Sequence, residues 1–303
     1  MKRLSLILVL LLVAFGGFGQ TMTTYQYAEK DGKQLYLDYY EPSNVNDSTI
    51  CVFYVFGGGF MQGQRNGEFE KDYFSKLVEE GFMVVAIDYR LGLVGAKNLG
   101  ITNYKPVQNA IYMAAEDAIS ALAYIIDNPE MKINRDLIVM VGSSAGAITV
   151  LQTDYALCNG FLNAEILPED FRPAGVVSYA GAVFSQEGKV KYRNHKPAPT
   201  MLMHGTADKL VNYNQLKLFC NGMFGTNKLV SRFEKFDLPY FVRRYKDYGH
   251  SVAGFCPNTI EELKWFCKHY VLDKERLQVD EMYVDNSSER PSWDSSTPND
   301  LYK

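Results

Sequence analysis

Short apolar runs alternate with amphipathic stretches along most of this chain. Residues 50–56, 83–88, 138–141, 175–179, 200–204 and 241–245 are rich in β-branched and aromatic side chains and too short for helices, so they predict buried strands. Between them, residues 68–80, 114–128, 145–157 and 258–270 space their apolar positions at helical intervals, and a further helix is predicted from Tyr213 onward. Residues 25–28 and 35–40 flank Asp31-Gly32, which predicts an opening antiparallel hairpin. Strands that alternate with helices need a mostly parallel sheet with helices packed on it, so the pattern predicts an α/β fold. No internal repeat is visible. Two long connections, residues 91–110 and 159–173, could shape a pocket, and neither is long enough for a large lid domain.

The ends of the chain read differently from its middle. Lys2 and Arg3 precede an almost wholly apolar stretch, residues 4–15, and then Gly16, Gly17 and Gly19. This is the layout of a secretory signal peptide spanning residues 1–19, with cleavage expected between Gly19 and Gln20. The apolar run is shorter than the roughly 20 residues a membrane-spanning helix needs. The mature protein is therefore expected in the periplasm or outside the cell, with no membrane attachment. Residues 20–275 are expected to form one catalytic domain, for which a hydrophobic fraction of 47% in 303 residues supplies a full core. Residues 276–303 are polar, with Ser, Asp, Asn and two prolines, and predict a loosely ordered extension.

Composition narrows the function mainly by exclusion. A formal net charge of −4 and the lack of any basic run give no reason to expect nucleic acid as a partner. Five cysteines, Cys51, Cys158, Cys220, Cys256 and Cys267, permit up to two disulfides in an exported chain. No CxxC pair or clustered Cys/His spacing argues for a metal, and nothing in the chain calls for a cofactor.

The candidate chemistry lies at the ends of the predicted strands. Gly142-Ser143-Ser144-Ala145-Gly146 directly follows the apolar run 137–141 and opens a helix, and this G-x-S-x-G frame puts Ser144 on a sharp strand-to-helix turn with its hydroxyl projecting. A serine hydroxyl is a weak nucleophile until a base takes its proton, and the base needs a carboxylate to fix its tautomer. Downstream, in the order Ser, acid, His, the strand 200–204 runs into a loop carrying Asp208, and the strand 241–245 runs into Asp247-Tyr248-Gly249-His250. Asp208 and His250 are the candidate acid and base. Asp237 and Asp247 compete with Asp208 for the acid's role, but Asp247 is only three residues before His250 and poorly placed to reach the far ring nitrogen. The other histidines have plainer readings: His204 at a strand end beside Gly205 is structural or supports a neighbouring site residue, His195 is in a solvated loop, and His269 is on the last helix. Gly57-Gly58-Gly59 follows the strand 50–56, and the N–H groups of Gly58, Gly59 and Ala145 could converge on a developing oxyanion. Phe60, Met61 and Tyr104 are the candidate substrate-binding residues.

With these segments in hand, the chain resembles the α/β-hydrolases of the carboxylesterase and lipase kind over residues 36–270. Phe56-Gly57-Gly58-Gly59-Phe60, Asp88-Tyr89-Arg90, the Gly142 to Gly146 frame, His204-Gly205-Thr206-Ala207-Asp208 and Gly249-His250 carry the likeness. Asp88-Tyr89-Arg90 is typical of hormone-sensitive-lipase-like esterases, where it is structural. Those enzymes usually have His where this chain has Phe56, whereas type-B carboxylesterases carry an aromatic there. The resemblance implies a cofactor-independent serine esterase acting on a small-molecule ester with a short acyl group, which the expected signal peptide would export. Its compartment suggests acetyl or aromatic acyl groups on carbohydrates. Two alternatives share features with this reading: a serine peptidase of the prolyl-oligopeptidase kind, which usually adds a propeller domain, and a non-catalytic binding protein on a hydrolase scaffold.

Overall fold

A computed structural model describes residues 21–97, 99, 102–286 and 289–301. The expected signal peptide, residues 1–19, and its cleavage point lie outside the described residues. β1 (Thr21–Lys30) and β2 (Lys33–Glu41) form the expected antiparallel hairpin around Asp31-Gly32. β3 (Cys51–Val55), β4 (Met83–Ile87), β5 (Ile138–Ser143), β6 (Gly175–Tyr179) and β8 (Thr200–Gly205) are buried at every residue, as strands covered on both faces must be.

With β11 (Tyr240–Tyr245) and β12 (Gln278–Tyr283) these strands make a nine-stranded sheet, counted among the described residues, in the order β1-β2-β4-β3-β5-β6-β8-β11-β12. β2 runs antiparallel to both of its neighbours, and from β4 to β12 every pairing is parallel. The register aligns the carboxyl ends: Val55 pairs with Gly142, Ser143 with Tyr179, and Gly205 with Tyr245. The loops that leave β3, β5, β8 and β11 therefore emerge side by side on one rim, the usual place for ligands on an open α/β sheet.

Helices flank the sheet. α2 (Lys105–Asp127) packs on α3 (Ala145–Asn159), and α1 (Glu68–Glu79) is tied to α5 (Ile260–Phe266) where Lys264 meets Glu80 at 2.7 Å. No helix among the described residues is long and apolar enough to cross a membrane. None of the five cysteines is bonded to another, and all but Cys220 are buried.

Three expectations need correction. α2 starts at Lys105, nine residues before the predicted Ala114, and takes up the end of the connection expected over residues 91–110. Pro106 sits in its first turn, where a missing N–H breaks no intrahelical bond, so the proline opens the helix rather than excluding it. No helix starts at Tyr213. Instead β9 (Gln215–Leu218) and β10 (Asn221–Gly225) form a hairpin that joins β7 (Ala182–Ser185) in a second, antiparallel sheet, and the helix α4 follows at Thr226–Lys235. The alternation Gln215-Leu216-Lys217-Leu218 suits a strand, and Gly222 and Gly225 weaken any helix there.

The third correction concerns the polar tail, which is not loose over its described length. β12 pairs in parallel with β11, and its charges meet arginines across the pair: Asp280 lies 2.7 Å from Arg244, and Glu281 lies 2.9 Å from Arg243. An edge strand has one neighbour and one solvated side, so its polar composition hid it.

Candidate active site

Ser144 is the single residue between β5 and α3. Its backbone has φ 51° and ψ −116°, a conformation that non-glycine residues seldom adopt and that surrounding structure must hold in place. The Ser144 N–H donates to Tyr179 O at 2.9 Å, which fastens the turn to the end of β6. α3 must approach β3 closely for this turn to close, and a Cβ on Gly146 would lie only 1.9 Å from Val55 O. The second glycine of the G-x-S-x-G frame is thus a packing requirement.

The rim brings the three predicted residues together. Ser144 Oγ is 2.8 Å from His250 Nε2, and His250 Nδ1 is 2.8 Å from Asp208 Oδ2. His250 opens a 3₁₀ turn, His250–Gly254, just beyond β11, and Asp208 stands in the loop after β8 with its side chain fully buried. Asp208 Oδ1 accepts the backbone N–H groups of Leu210 and Val211 at 2.9 and 3.0 Å. Burial works against the charge of Asp208, but hydrogen bonds from His204 and His250 outweigh it and hold the carboxyl well below the usual carboxylate range. An ionised Asp208 keeps the proton of His250 on Nδ1 and leaves the Nε2 lone pair facing Ser144.

His204 takes a closer part in this network than its sequence position suggests. Its Nε2 is 3.1 Å from Asp208 Oδ2 and 3.0 Å from Val211 O, while its Nδ1 is 2.9 Å from Thr226 Oγ1. With its proton on Nε2 it donates to the acid and accepts from the threonine, and every polar atom in the group is partnered. The competitors for the acid's role are elsewhere: Asp247 is exposed, and Asp237 pairs with Arg276 at 2.9 Å. His195 is exposed, and His269 contacts Glu275 at 3.1 Å.

An apolar cavity of about 300 Å³ opens beside the serine, and Gly59, Ser144 and Ala145 form its floor. Phe60 and Tyr104 are among the residues that line it. Met61 is not: its N–H turns back to Gly58 O at 3.1 Å, and the side chain packs at the edge of the core. Gly58 also stands off the cavity wall. It has φ 115°, and a Cβ there would fall 2.0 Å from Gln62 O, so its part is to let the loop fold back on itself.

The rest of the wall was not foreseen. Val107 comes from the early turns of α2 and Ile148 from α3, while Leu216, Leu218 and Met223 come from the hairpin that replaces the expected helix. Behind the glycine loop, Phe56 stacks on Tyr89 with ring centroids 4.4 Å apart, and Tyr89 Oη donates to Phe56 O at 3.1 Å. Arg90 is held by buried Asp117 at 2.8 Å and Asp88 by Arg65 at 2.7 Å, so Asp88-Tyr89-Arg90 braces the loop from outside the cavity.

Comparison with known proteins agrees with this architecture. The family model described as BD-FAE, an α/β-hydrolase esterase family, matches residues 37–97, which hold the glycine loop but not Ser144, Asp208 or His250. Over 129 residues, 42% of this chain, the sequence is 28% identical to gut esterase 1 of Caenorhabditis briggsae. A stretch of the same length is 31% identical to a non-reducing polyketide synthase of Aspergillus novofumigatus. These alignments span only 22% and 6% of the respective relatives.

Among solved structures, butyrate-bound esterase 2 of Thermogutta terrifontis superposes with a TM-score of 0.58 at 16% identity, covering 84% of this chain and 94% of that one. Esterase B of Lactobacillus Rhamnosis gives a TM-score of 0.57 at 16% identity, covering 82% and 85%. The chain has the α/β-hydrolase fold that these esterases share.

Proposed function

We propose that the protein is a serine esterase that hydrolyses small carboxylic esters through an acyl-enzyme. The observation that carries this reading is the continuous line from Ser144 Oγ to His250 Nε2 at 2.8 Å and from His250 Nδ1 to Asp208 Oδ2 at 2.8 Å, at the foot of an apolar cavity. Ser144 Oγ attacks the ester carbonyl carbon as His250 takes its proton, and the backbone N–H groups of Gly59 and Ala145 receive the oxyanion, while Gly58 shapes the loop that carries Gly59. Collapse of that intermediate expels the alcohol, which takes the proton from His250, and water then releases the acid by the same steps. Preorganised N–H donors of this kind are worth about 10² to 10³ in rate each.

The cavity suits a short or aromatic acyl group, since its walls offer Phe60, Tyr104, Val107 and Ile148 at a volume near 300 Å³. Sugar-borne acetyl or aromatic acyl groups fit that description. The leader-like residues 1–19 support export as the setting. Esterase 2 of Thermogutta terrifontis is known in a form phosphorylated by paraoxon, so an organophosphate is a fitting probe.

A panel of p-nitrophenyl acetate, butyrate, octanoate and dodecanoate, with acetylated and feruloylated sugars, tests the reading. Short and aromatic acyl esters should turn over best, and Val107→Phe should depress octanoate more than acetate. If no ester in the panel turns over and paraoxon leaves Ser144 unmodified, the reading is wrong.

A further inference from the structure

The polar tail beyond β12 returns to the candidate base. Asp294 is buried, and its two carboxylate oxygens each accept a backbone N–H from the His250 loop: Oδ2 from Gly249 at 2.8 Å and Oδ1 from Ser251 at 2.7 Å. Those donors flank His250 on either side. The tail backbone lies directly against the loop, because a Cβ on Gly249 would fall 1.8 Å from Asp294 O. On Tyr248, the residue before Gly249, the ring is covered by the Arg290 guanidinium at 3.5 Å from its centroid. Residues 248, 249 and 251 are thus gripped by the tail while the side chain between them reaches Ser144 and Asp208.

The loop needs such a partner. His250 begins a five-residue 3₁₀ turn whose first N–H groups have no acceptor within the turn, and buried N–H groups left unpaired are costly. Asp294 satisfies two of these donors at once, from 45 residues downstream of Gly249.

We propose that Asp294 is a positioning residue that fixes the imidazole of His250 between Ser144 and Asp208, so that the C-terminal segment is part of the catalytic apparatus. The proposal rests on the serine esterase reading. A displacement of about 1 Å at a reacting group can lower turnover about 10²-fold, so loss of this grip should show in kcat.

The test compares full-length Asp294→Ala, Asp294→Asn and Trp293→Ala. Trp293 is exposed in the same short turn and serves as the control. Three quantities are read: kcat and KM for p-nitrophenyl butyrate, the thermal midpoint, and the downfield proton resonance of the His250 Nδ1–H bonded to Asp208. Asp294→Ala should lose about 10² in kcat with KM within about threefold, and its downfield resonance should weaken although the protein is folded at the assay temperature. Asp294→Asn keeps one acceptor oxygen and should fall between Ala and wild type, and Trp293→Ala should match wild type. Should Asp294→Ala not fold, Asp294→Asn decides by the same criteria. A folded Asp294 variant with wild-type kcat and resonance overturns the proposal, as does an equal loss in Trp293→Ala. A wild type inert on every ester overturns the esterase reading instead, and the resonance then decides the positioning role alone.

Discussion

Oδ2 of Asp208 stands 2.8 Å from Nδ1 of His250, a contact between residues 42 positions apart in the chain. The parallel pairing of β8 with β11 produces it: Gly205 and Tyr245 are register partners, so the loops that follow them start at the same height on the rim. Asp247 is on one of those loops but is exposed. Asp208→Asn should lower kcat/KM by about 10⁴, because the imidazole loses its counter-charge and its preferred tautomer. Asp247→Asn should change it by less than about threefold, because the charge of an exposed group is largely screened by water and salt. Steady-state kinetics of the two variants decide the point, and the reverse order would transfer the acid's role to Asp247.

The glycine loop gives a second contrast. Gly58 combines φ 115° with a Cβ position 2.0 Å from Gln62 O, so Gly58→Val should distort the loop that carries Gly59 and cost about 10² or more in kcat. Phe56 contributes a flat ring stacked on Tyr89, and Phe56→His can keep that stack; activity should change by less than about tenfold. An inactive but folded Phe56→His would show that the phenyl ring itself shapes the loop.

A buried acid outside the site should govern part of the pH dependence of stability. Burial in α3 raises the Asp154 carboxyl to about 7, against only partial help from the Ala198 N–H and the charge of Arg172. The unfolded chain releases this proton near its ordinary value of 3.8, so the contribution is complete below that pH, is lost as pH rises through the folded value, and is constant above it. Asp154→Asn keeps an acceptor oxygen and cannot ionise. Its thermal midpoint should gain on wild type by roughly 5 °C between pH 5 and pH 8. An equal difference at both values would show that Asp154 is ionised in the native protein throughout.

Much of the sheet and the three candidate catalytic residues were legible because a parallel strand buried on both faces leaves an unbroken apolar run. β3, β5, β8 and β11 each announce the loop that follows, and those loops carry the glycines, Ser144, Asp208 and His250. What stayed hidden depends on tertiary contacts. β9, β10 and β12 are partly or largely solvated, so their composition resembles loops or helices, and the strands that β10 and β12 join, β7 and β11, are far off in sequence. Asp294 in a run of Ser, Trp, Asp and Pro has no local pattern that distinguishes a carboxylate gripping a loop from one facing water. For His204 a signal did exist, an acid four residues on, but only the fold shows that the two side chains share a hydrogen bond.

The most direct measurement is the turnover of p-nitrophenyl butyrate by Ser144→Ala beside wild type, with folding checked by circular dichroism. Without its nucleophile the enzyme should lose about 10⁴ to 10⁶ in kcat/KM, the scale seen when the serine of a triad is removed. A correctly folded Ser144→Ala protein with near wild-type turnover would contradict the account.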